Sequence, residues 1–235
     1  MSRLLLVRHG QARSFEQDSD RLSELGQQQA RQLGQWLSER GARFGEVWSG
    51  SLVRQNRTAH IAGEAFGQGW PEVRTDQRWN EYDASGVLAR AAPALASQDP
   101  AFSDLLEAAK AHRHTSEANR HFQRMFEVLM NRWTAGEIEA PGVESWQSFQ
   151  TRVREALWEI VTGSSEGRSV LIVSSGGPIA TVVQTVLEAP PRIALELNWR
   201  MRNASITEFL FTRGRVTLDQ FNATPHLDPS LISYR

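Results

Sequence analysis

The chain opens on a continuous apolar run, Leu4-Leu5-Leu6-Val7, that stops at Arg8-His9-Gly10. Such a run reads as a strand buried on both faces and ending in a polar turn. Residues 23–40 then read as a helix, with Leu25, Leu33, Trp36 and Leu37 on one side and Gly41 as its stop. The pattern predicts a short strand over 46–49, a helix over 52–66 and a third short strand over 73–75. Residues 84–140 change character. Asp99-Pro100 pairs an N-cap with a first-turn proline, and Phe102, Leu105, Leu106 and Ala109 follow at helical spacing. Ser116 is expected to cap a further helix, in which Phe122, Met125, Phe126, Leu129, Met130 and Trp133 form one apolar stripe. That stripe reads as core packing, and the segment as a helical insertion beside the sheet.

Alternation resumes in the second half. Trp146, Phe149, Val153, Leu157 and Ile160 line one helix face, and Val170-Leu171-Ile172-Val173 is a strongly apolar strand. Gly176-Gly177-Pro178 opens the next helix, whose expected core face is Ile179, Val182, Val183, Val186 and Leu187. Residues 206–211 and 216–221 read as late strands. Strands alternating with helices imply an α/β fold with a mostly parallel central sheet and helices on both faces. Residues 1–235 are expected to form a single domain that includes the helical insertion 84–140.

Composition narrows the chemistry. The 235 residues are 40% hydrophobic, enough for a sizeable core. Lysine and arginine number 26 against 27 acidic residues, a net charge of -1, so no basic excess attracts nucleic acid. There is no cysteine, which excludes disulfides, thiolate catalysis and cysteine–zinc sites. The apolar start is too short for a signal-peptide core, and no stretch approaches the length of a membrane span. A cytoplasmic protein without membrane or nucleic-acid partners is expected; oligomeric state has no signal in the sequence.

Two strand ends carry unusual polar residues, Arg8-His9-Gly10 and Ser174-Ser175-Gly176-Gly177. Sites in open α/β sheets form beyond the carboxyl ends of strands. An imidazole can attack phosphorus directly if one ring nitrogen is bare and the other is held by a hydrogen bond. Phosphoryl transfer also needs fixed positive charge around the phosphoryl oxygens, and the guanidinium of Arg8 stands next to His9. By itself this tripeptide is a weak signal. Further motifs follow in order: Ser49-Gly50-Ser51-Leu52-Val53-Arg54 with Thr58-Ala59, Trp79-Asn80-Glu81, Pro141-Gly142-Val143-Glu144-Ser145, and Asn203-Ala204-Ser205.

The ordered set resembles the histidine phosphatase superfamily, in its phosphoglycerate mutase-like branch, over nearly the whole chain. The resemblance is carried by Leu5-Leu6-Val7-Arg8-His9-Gly10-Gln11, by Leu22-Ser23-Glu24-Leu25-Gly26 with Gln29-Ala30, and by the motifs above. It implies that His9 becomes phosphorylated and that Arg8 and Arg54 clamp the phosphoryl group. Glu81 then protonates the leaving oxygen and afterwards activates water. Gly10, Ser175 and Gly176 are expected to complete phosphate binding. The implied substrate is a small phosphorylated molecule or a phosphopeptide.

Three positions depart from the family pattern. Ser175 stands where the family carries a second active-site histidine. Its hydroxyl can donate one hydrogen bond but carries no charge, and losing one preorganised donor costs ~10²–10³ in rate. The backbone of Gly176 and Gly177 at a helix start can still help hold an anion. Ala12 and Phe15 replace a hydroxyl residue and an asparagine, with Gln11 or Ser14 as compensation, and Arg57 adds charge beside Thr58. His60, His112, His114, His121 and His226 are the remaining histidines. His112, Arg113, His114, Arg120 and His121 are read as a solvated, basic helix–helix turn.

The chain has no GxSxG, no phosphate-binding GxxxxGK[ST] and no histidine–carboxylate spacing that argues for a metal. Neither a metal nor an organic cofactor is expected. The leading expectation is a phosphomonoester hydrolase working through phosphohistidine. The rivals are a weakly active or inactive phospho-ligand or protein-binding member of the fold, and a phosphoglycerate mutase, which Ala12 and Phe15 disfavour.

Overall fold

The computed structural model describes residues 1–13, 20–163 and 167–234. In chain order the elements are β1 (Ser2–Arg8), α1 (Glu24–Glu39), β2 (Glu46–Ser49), α2 (Val53–Phe66) and β3 (Val73–Thr75). Then come α3 (Ala84–Gln98), α4 (Pro100–Ala111), α5 (Ala118–Thr134), α6 (Trp146–Thr162) and β4 (Ser169–Ser174). The chain continues through α7 (Gly176–Val186), α8 (Arg192–Trp199), β5 (Ile206–Thr212) and β6 (Arg215–Ala223). They fall into two compact units, Met1–Glu81 with Arg152–Arg235, and Tyr82–Thr151.

The first unit holds one six-stranded sheet in the order β3-β2-β4-β1-β5-β6. Four neighbouring strands, β3, β2, β4 and β1, run parallel. The last two run antiparallel. The mostly parallel expectation therefore holds for the strands whose ends carry the polar motifs. Strand β5 is antiparallel to β1, and a tight turn at Arg213-Gly214, with Gly214 at φ 76°, returns the chain as β6 antiparallel to β5. Leu5, Val7, Val47, Leu171 and Val173 pack with Leu33 and Leu37 of α1 and Ala59 and Ala62 of α2. Leu4, Leu6, Val170 and Ile172 alternate to the opposite face and are equally buried. This double burial is why β1 and β4 read as unbroken apolar runs.

Local sequence explains the helix ends near β1. Ser23 caps α1, its Oγ accepting the Gly26 N–H at 3.0 Å. Gly26 lets that helix touch the turn after β1: a Cβ on Gly26 would lie 2.1 Å from the Gln11 carbonyl oxygen, and one on Gly10 would lie 2.3 Å from the Gly26 carbonyl oxygen.

The second unit contains α3, α4 and α5 within the segment read as a helical insertion. Asp99 caps α4 as expected, accepting from the N–H groups of Ala101 and Phe102. Met125, Phe126, Leu129, Met130 and Trp133 of α5 are buried, and Tyr82 packs against Trp133, Trp146 and Phe149. Three local expectations need correction. Ser116 does not cap α5; Glu117 precedes it, with no side-chain cap. Leu187 is 55% exposed because it lies past the end of α7. Helix α8 follows Pro190-Pro191, where no element was expected.

No helix among the described residues is long and apolar enough to cross a membrane.

Candidate active site

Every residue of the predicted site lies in the first unit. His9 directly follows β1 and is held by its backbone on two sides. Its N–H donates to Ser174 O at 2.9 Å, and its carbonyl accepts from the Ala204 N–H at 3.1 Å. Ala204 takes a left-handed φ of 54° to present that N–H, a conformation that L-residues seldom adopt. The Asn203-Ala204-Ser205 motif thus serves as a clip: Ser205 O also accepts the Arg8 N–H at 3.0 Å.

The imidazole of His9 is buried and its two nitrogens differ. Nδ1 lies 2.7 Å from Gly10 O, which can only accept, so Nδ1 carries the proton. Nε2 accepts from Arg54 Nε at 3.1 Å and is the unprotonated nitrogen. Burial, reinforced by the charges of Arg54 and Arg8, holds the imidazole pKa well below its usual value. The ring is therefore neutral, in a fixed tautomer, with its lone pair beside a guanidinium.

Gly10 was expected to bind phosphate. Its N–H donates instead to Thr58 Oγ1 at 3.1 Å, and its carbonyl holds His9. It belongs to the mount of the imidazole. Thr58 is aligned in turn by donating to Arg54 O at 2.7 Å, so α2 carries both the support and the charge.

Arg54 has a second partner that sequence reasoning missed. Its Nη1 pairs with Asp20 Oδ1 at 2.6 Å. Asp20 Oδ2 also accepts the Val53 N–H at 2.8 Å. Leu52, at the N-cap of α2, has no side-chain acceptor, so a distant carboxylate caps the helix and steers Arg54 together. Arg8 is turned by other contacts. Its Nη1 donates to Met201 O, and to Tyr234 O at 3.1 Å. Arg57 forms an exposed pair with Glu64 at 3.7 Å.

Ser175 is fully buried at the N-cap of α7. Its Oγ accepts from Gln55 Nε2 at 2.8 Å, and the same amide donates to Trp79 O at 3.0 Å. Gly50 makes room for Gln55: a Cβ there would lie 1.9 Å from Gln55 Oε1. Ser174 Oγ reaches the same Trp79 carbonyl at 2.7 Å. Gln55 is the second residue the sequence did not reveal; its one signal was its place beside Arg54.

Glu81 lies at the start of α7, where its carboxylate accepts the Gly177 N–H at 3.0 Å. That N–H, expected to help hold an anion, is thus engaged by Glu81. Gly176 must remain small, since a Cβ would lie 1.9 Å from Asn198 Oδ1. Arg152 fixes the chain before Glu81 through Nη1, which donates to Arg78 O at 2.8 Å and Asn80 O at 2.9 Å. Asn80 ties it to the Ser49-Gly50-Ser51 loop by accepting the Ser51 N–H at 2.7 Å.

The structure therefore links His9 directly to Arg54, and places Ser175 and Glu81 on the neighbouring loop and helix end. Ala12 forms a bridge with Leu22 and offers no side-chain donor. Ser14 and Phe15 lie outside the described residues. His60 is exposed on α2, whereas His226 is buried against Trp36, ring centroids 6.0 Å apart.

A profile of the histidine phosphatase superfamily (branch 1) matches residues 4–127 and 110–224. A bifunctional protein of Mycobacterium tuberculosis is 28% identical over 233 residues, which cover 96% of this chain. The chain spans 55% of that relative's length. A phosphoglycerate mutase structure from Bacillus anthracis superposes with a TM-score of 0.63 at 18% identity, covering 96% of this chain and 94% of the other. A mycobacterial glucosyl-3-phosphoglycerate phosphatase gives a TM-score of 0.59 at 26% identity, covering 94% and 98%.

Proposed function

The chain belongs to the histidine phosphatase superfamily, and from that premise we propose that it is a phosphomonoester hydrolase acting through phosphohistidine on His9. The observation that carries the proposal is the His9 ring itself: Nδ1 tethered to Gly10 O, Nε2 unprotonated and accepting from Arg54, and the charged form disfavoured. A buried neutral imidazole in one tautomer is what nucleophilic attack on phosphorus requires.

In the first step Nε2 attacks phosphorus and the ester P–O bond breaks. Glu81, in its protonated form, gives its proton to the departing alkoxide. Arg54 and Arg8 offset charge on the phosphoryl oxygens, Arg8 swinging from its carbonyl partners, and the Ser175 hydroxyl donates one hydrogen bond. Accepting from Gln55 leaves that hydroxyl proton available for an anion. In the second step the Glu81 carboxylate takes a proton from water, the water oxygen attacks phosphorus, and the P–N bond breaks. Inorganic phosphate leaves with His9 and Glu81 restored. The protein residues supply all the groups these two steps use, so the reading invokes no metal or organic cofactor.

Ser175 stands in this reading for the second histidine of the family, which makes turnover slower than with an imidazolium there. The substrate is a small phosphorylated molecule or a phosphopeptide, and the relatives' names point first to phosphorylated organic acids and their sugar conjugates. Ala12, which cannot hydrogen-bond phosphate through its side chain, favours a phosphatase over a mutase.

The test is incubation with p-nitrophenyl phosphate. Steady phosphate release should vanish in His9→Ala. Glu81→Gln should accumulate acid-labile phosphate on His9, because the aryl leaving group needs little protonation whereas the second step needs a base. Absence of phosphorylation of His9 by any phosphomonoester would overturn the proposal. Phosphorylation without turnover in the unaltered protein would favour a phospho-ligand-binding role.

A further inference from the structure

We propose that His112, Glu117 and His121, in the second unit, form a binding site for a divalent transition metal of the zinc class. One ligand atom from each residue lies within 4.8 Å of the other two. His121 Nε2 is 3.7 Å from a Glu117 carboxylate oxygen, one helical turn apart at the start of α5. His112 closes the end of α4, and its ring lies 3.9 Å from that of His121, centroid to centroid.

The environment of His112 points to a ligand. Its Nδ1 donates to Ala108 O at 2.9 Å, so Nε2 is left bare. A metal-binding imidazole typically has its other nitrogen tethered to a carbonyl or carboxylate in this way. Tetrahedral bonds of ~2.0–2.1 Å place ligand atoms roughly 3.3–3.5 Å apart, so the cluster must contract by no more than about 1.5 Å. The rings stand at 14°, too parallel for both lone pairs to meet at one point. His112 is held by its tether, so His121 is the ring that turns, a side-chain rotation that leaves both helices in place.

Two imidazoles and one carboxylate form a borderline donor set that suits zinc, nickel or copper and disfavours calcium and magnesium. The partly exposed position of all three side chains gives an ion a path in and leaves room for water as a fourth ligand. A bound ion would staple the end of α4 to the start of α5. In sequence His112 and His121 belong to what reads as a solvated basic turn, and Glu117 carries no signal there, because only the fold of that turn brings the first histidine back beside the other two residues.

The experiment is calorimetric titration of the metal-stripped 235-residue chain with Zn²⁺, paralleled by Co²⁺ and its visible absorption. One equivalent should bind saturably, the cobalt spectrum should be that of a low-coordinate site, and Zn²⁺ should raise the melting temperature. His112→Ala and His121→Ala should each weaken binding at least ~10-fold, the minimum expected from loss of even an outer partner. Glu117→Gln should weaken it too, and His60→Ala on α2 should leave it unchanged. Absence of saturable binding, or equal binding by the His112→Ala/His121→Ala double variant, would overturn the site and leave His121–Glu117 as a simple ion pair. Phosphatase turnover is not read, so this result is independent of the proposed function.

Discussion

Replacing Ser175 by histidine tests how the pocket around the serine is built. The family resemblance alone suggests that Ser175→His should restore charge and speed the reaction. The packing argues that the single change fails. Ser175 and Gln55 are both fully buried, and the Gln55 amide sits 2.8 Å from the serine oxygen. An imidazole grown from the same Cβ extends past that oxygen into the amide. The amide has little room to retreat, since Nε2 is bonded to Trp79 O and Oε1 fills the space above Gly50. Overpacking of this kind costs ~1–3 kcal/mol, which for a chain of this size lowers Tm by roughly 2–12 °C. Removing the amide with Gln55→Ala opens the volume at the cost of a buried hydrogen bond, about 1–3 kcal/mol. The double variant should recover part of both losses, with a coupling of ~0.5–3 kcal/mol, because the two side chains compete for one space. It should also hydrolyse p-nitrophenyl phosphate faster than the unaltered protein, by up to ~10²-fold if the imidazole recovers a missing donor. The assay is a four-protein cycle read by thermal melting and by kcat/KM. A Ser175→His protein as stable as the parent, or strictly additive losses in the double variant, would refute the steric reasoning even if no variant turned over.

Arg152→Ala should lower kcat by about 10²-fold with KM little changed, because the Arg78 and Asn80 carbonyls lose their anchor and Glu81 drifts; equal kinetics would show that the loop holds itself. Gly26→Ala should destabilise the protein by ~1–3 kcal/mol or more in urea, since the new Cβ would lie 2.1 Å from the Gln11 carbonyl, whereas Gly41→Ala, with open space but φ 63°, should cost less. Burial lowers the His226 pKa to about 4 from its usual 6.5, so the unfolded chain binds this proton more readily than the folded one. Stability should be fully present above pH 6.5 and fall by about 3 kcal/mol as pH drops to 4, and His226→Phe should remove that part of the slope.

Strands β1 and β4 were legible because burial on both faces writes an unbroken apolar run, Leu4-Leu5-Leu6-Val7 and Val170-Leu171-Ile172-Val173. Helices α1, α5 and α6 were legible through their stripes, and α4 through Asp99-Pro100. Helix α8 was hidden by its eight-residue length and by the two prolines before it. The candidate site divides in the same way. His9 and Ser175 directly follow β1 and β4, where a polar residue after an apolar run draws the eye, whereas Arg54 in the first turn of α2 and Glu81 beyond β3 were legible only through the family resemblance. Gln55 and Asp20 could not be read off, because nothing local distinguishes a glutamine that reaches Ser175 or an aspartate that caps a helix more than 30 residues away. The His112–Glu117–His121 cluster was missed for a related reason: periodicity on one helix does not reveal what a turn folds back.

The place of β1 in the sheet has a consequence for how the protein folds. Its neighbours are β4 and β5, whose paired residues lie more than 160 positions along the chain. His9 is seated by Ser174 and Ala204, so its seat cannot exist until the distal half of the chain has docked. Contacts this remote in sequence slow folding, and a chain released with only its first 160 residues would hold Arg8-His9-Gly10 on a strand with neither neighbour. Seating of the His9 backbone should therefore coincide with closure of the sheet, late in folding, however early the tripeptide emerges.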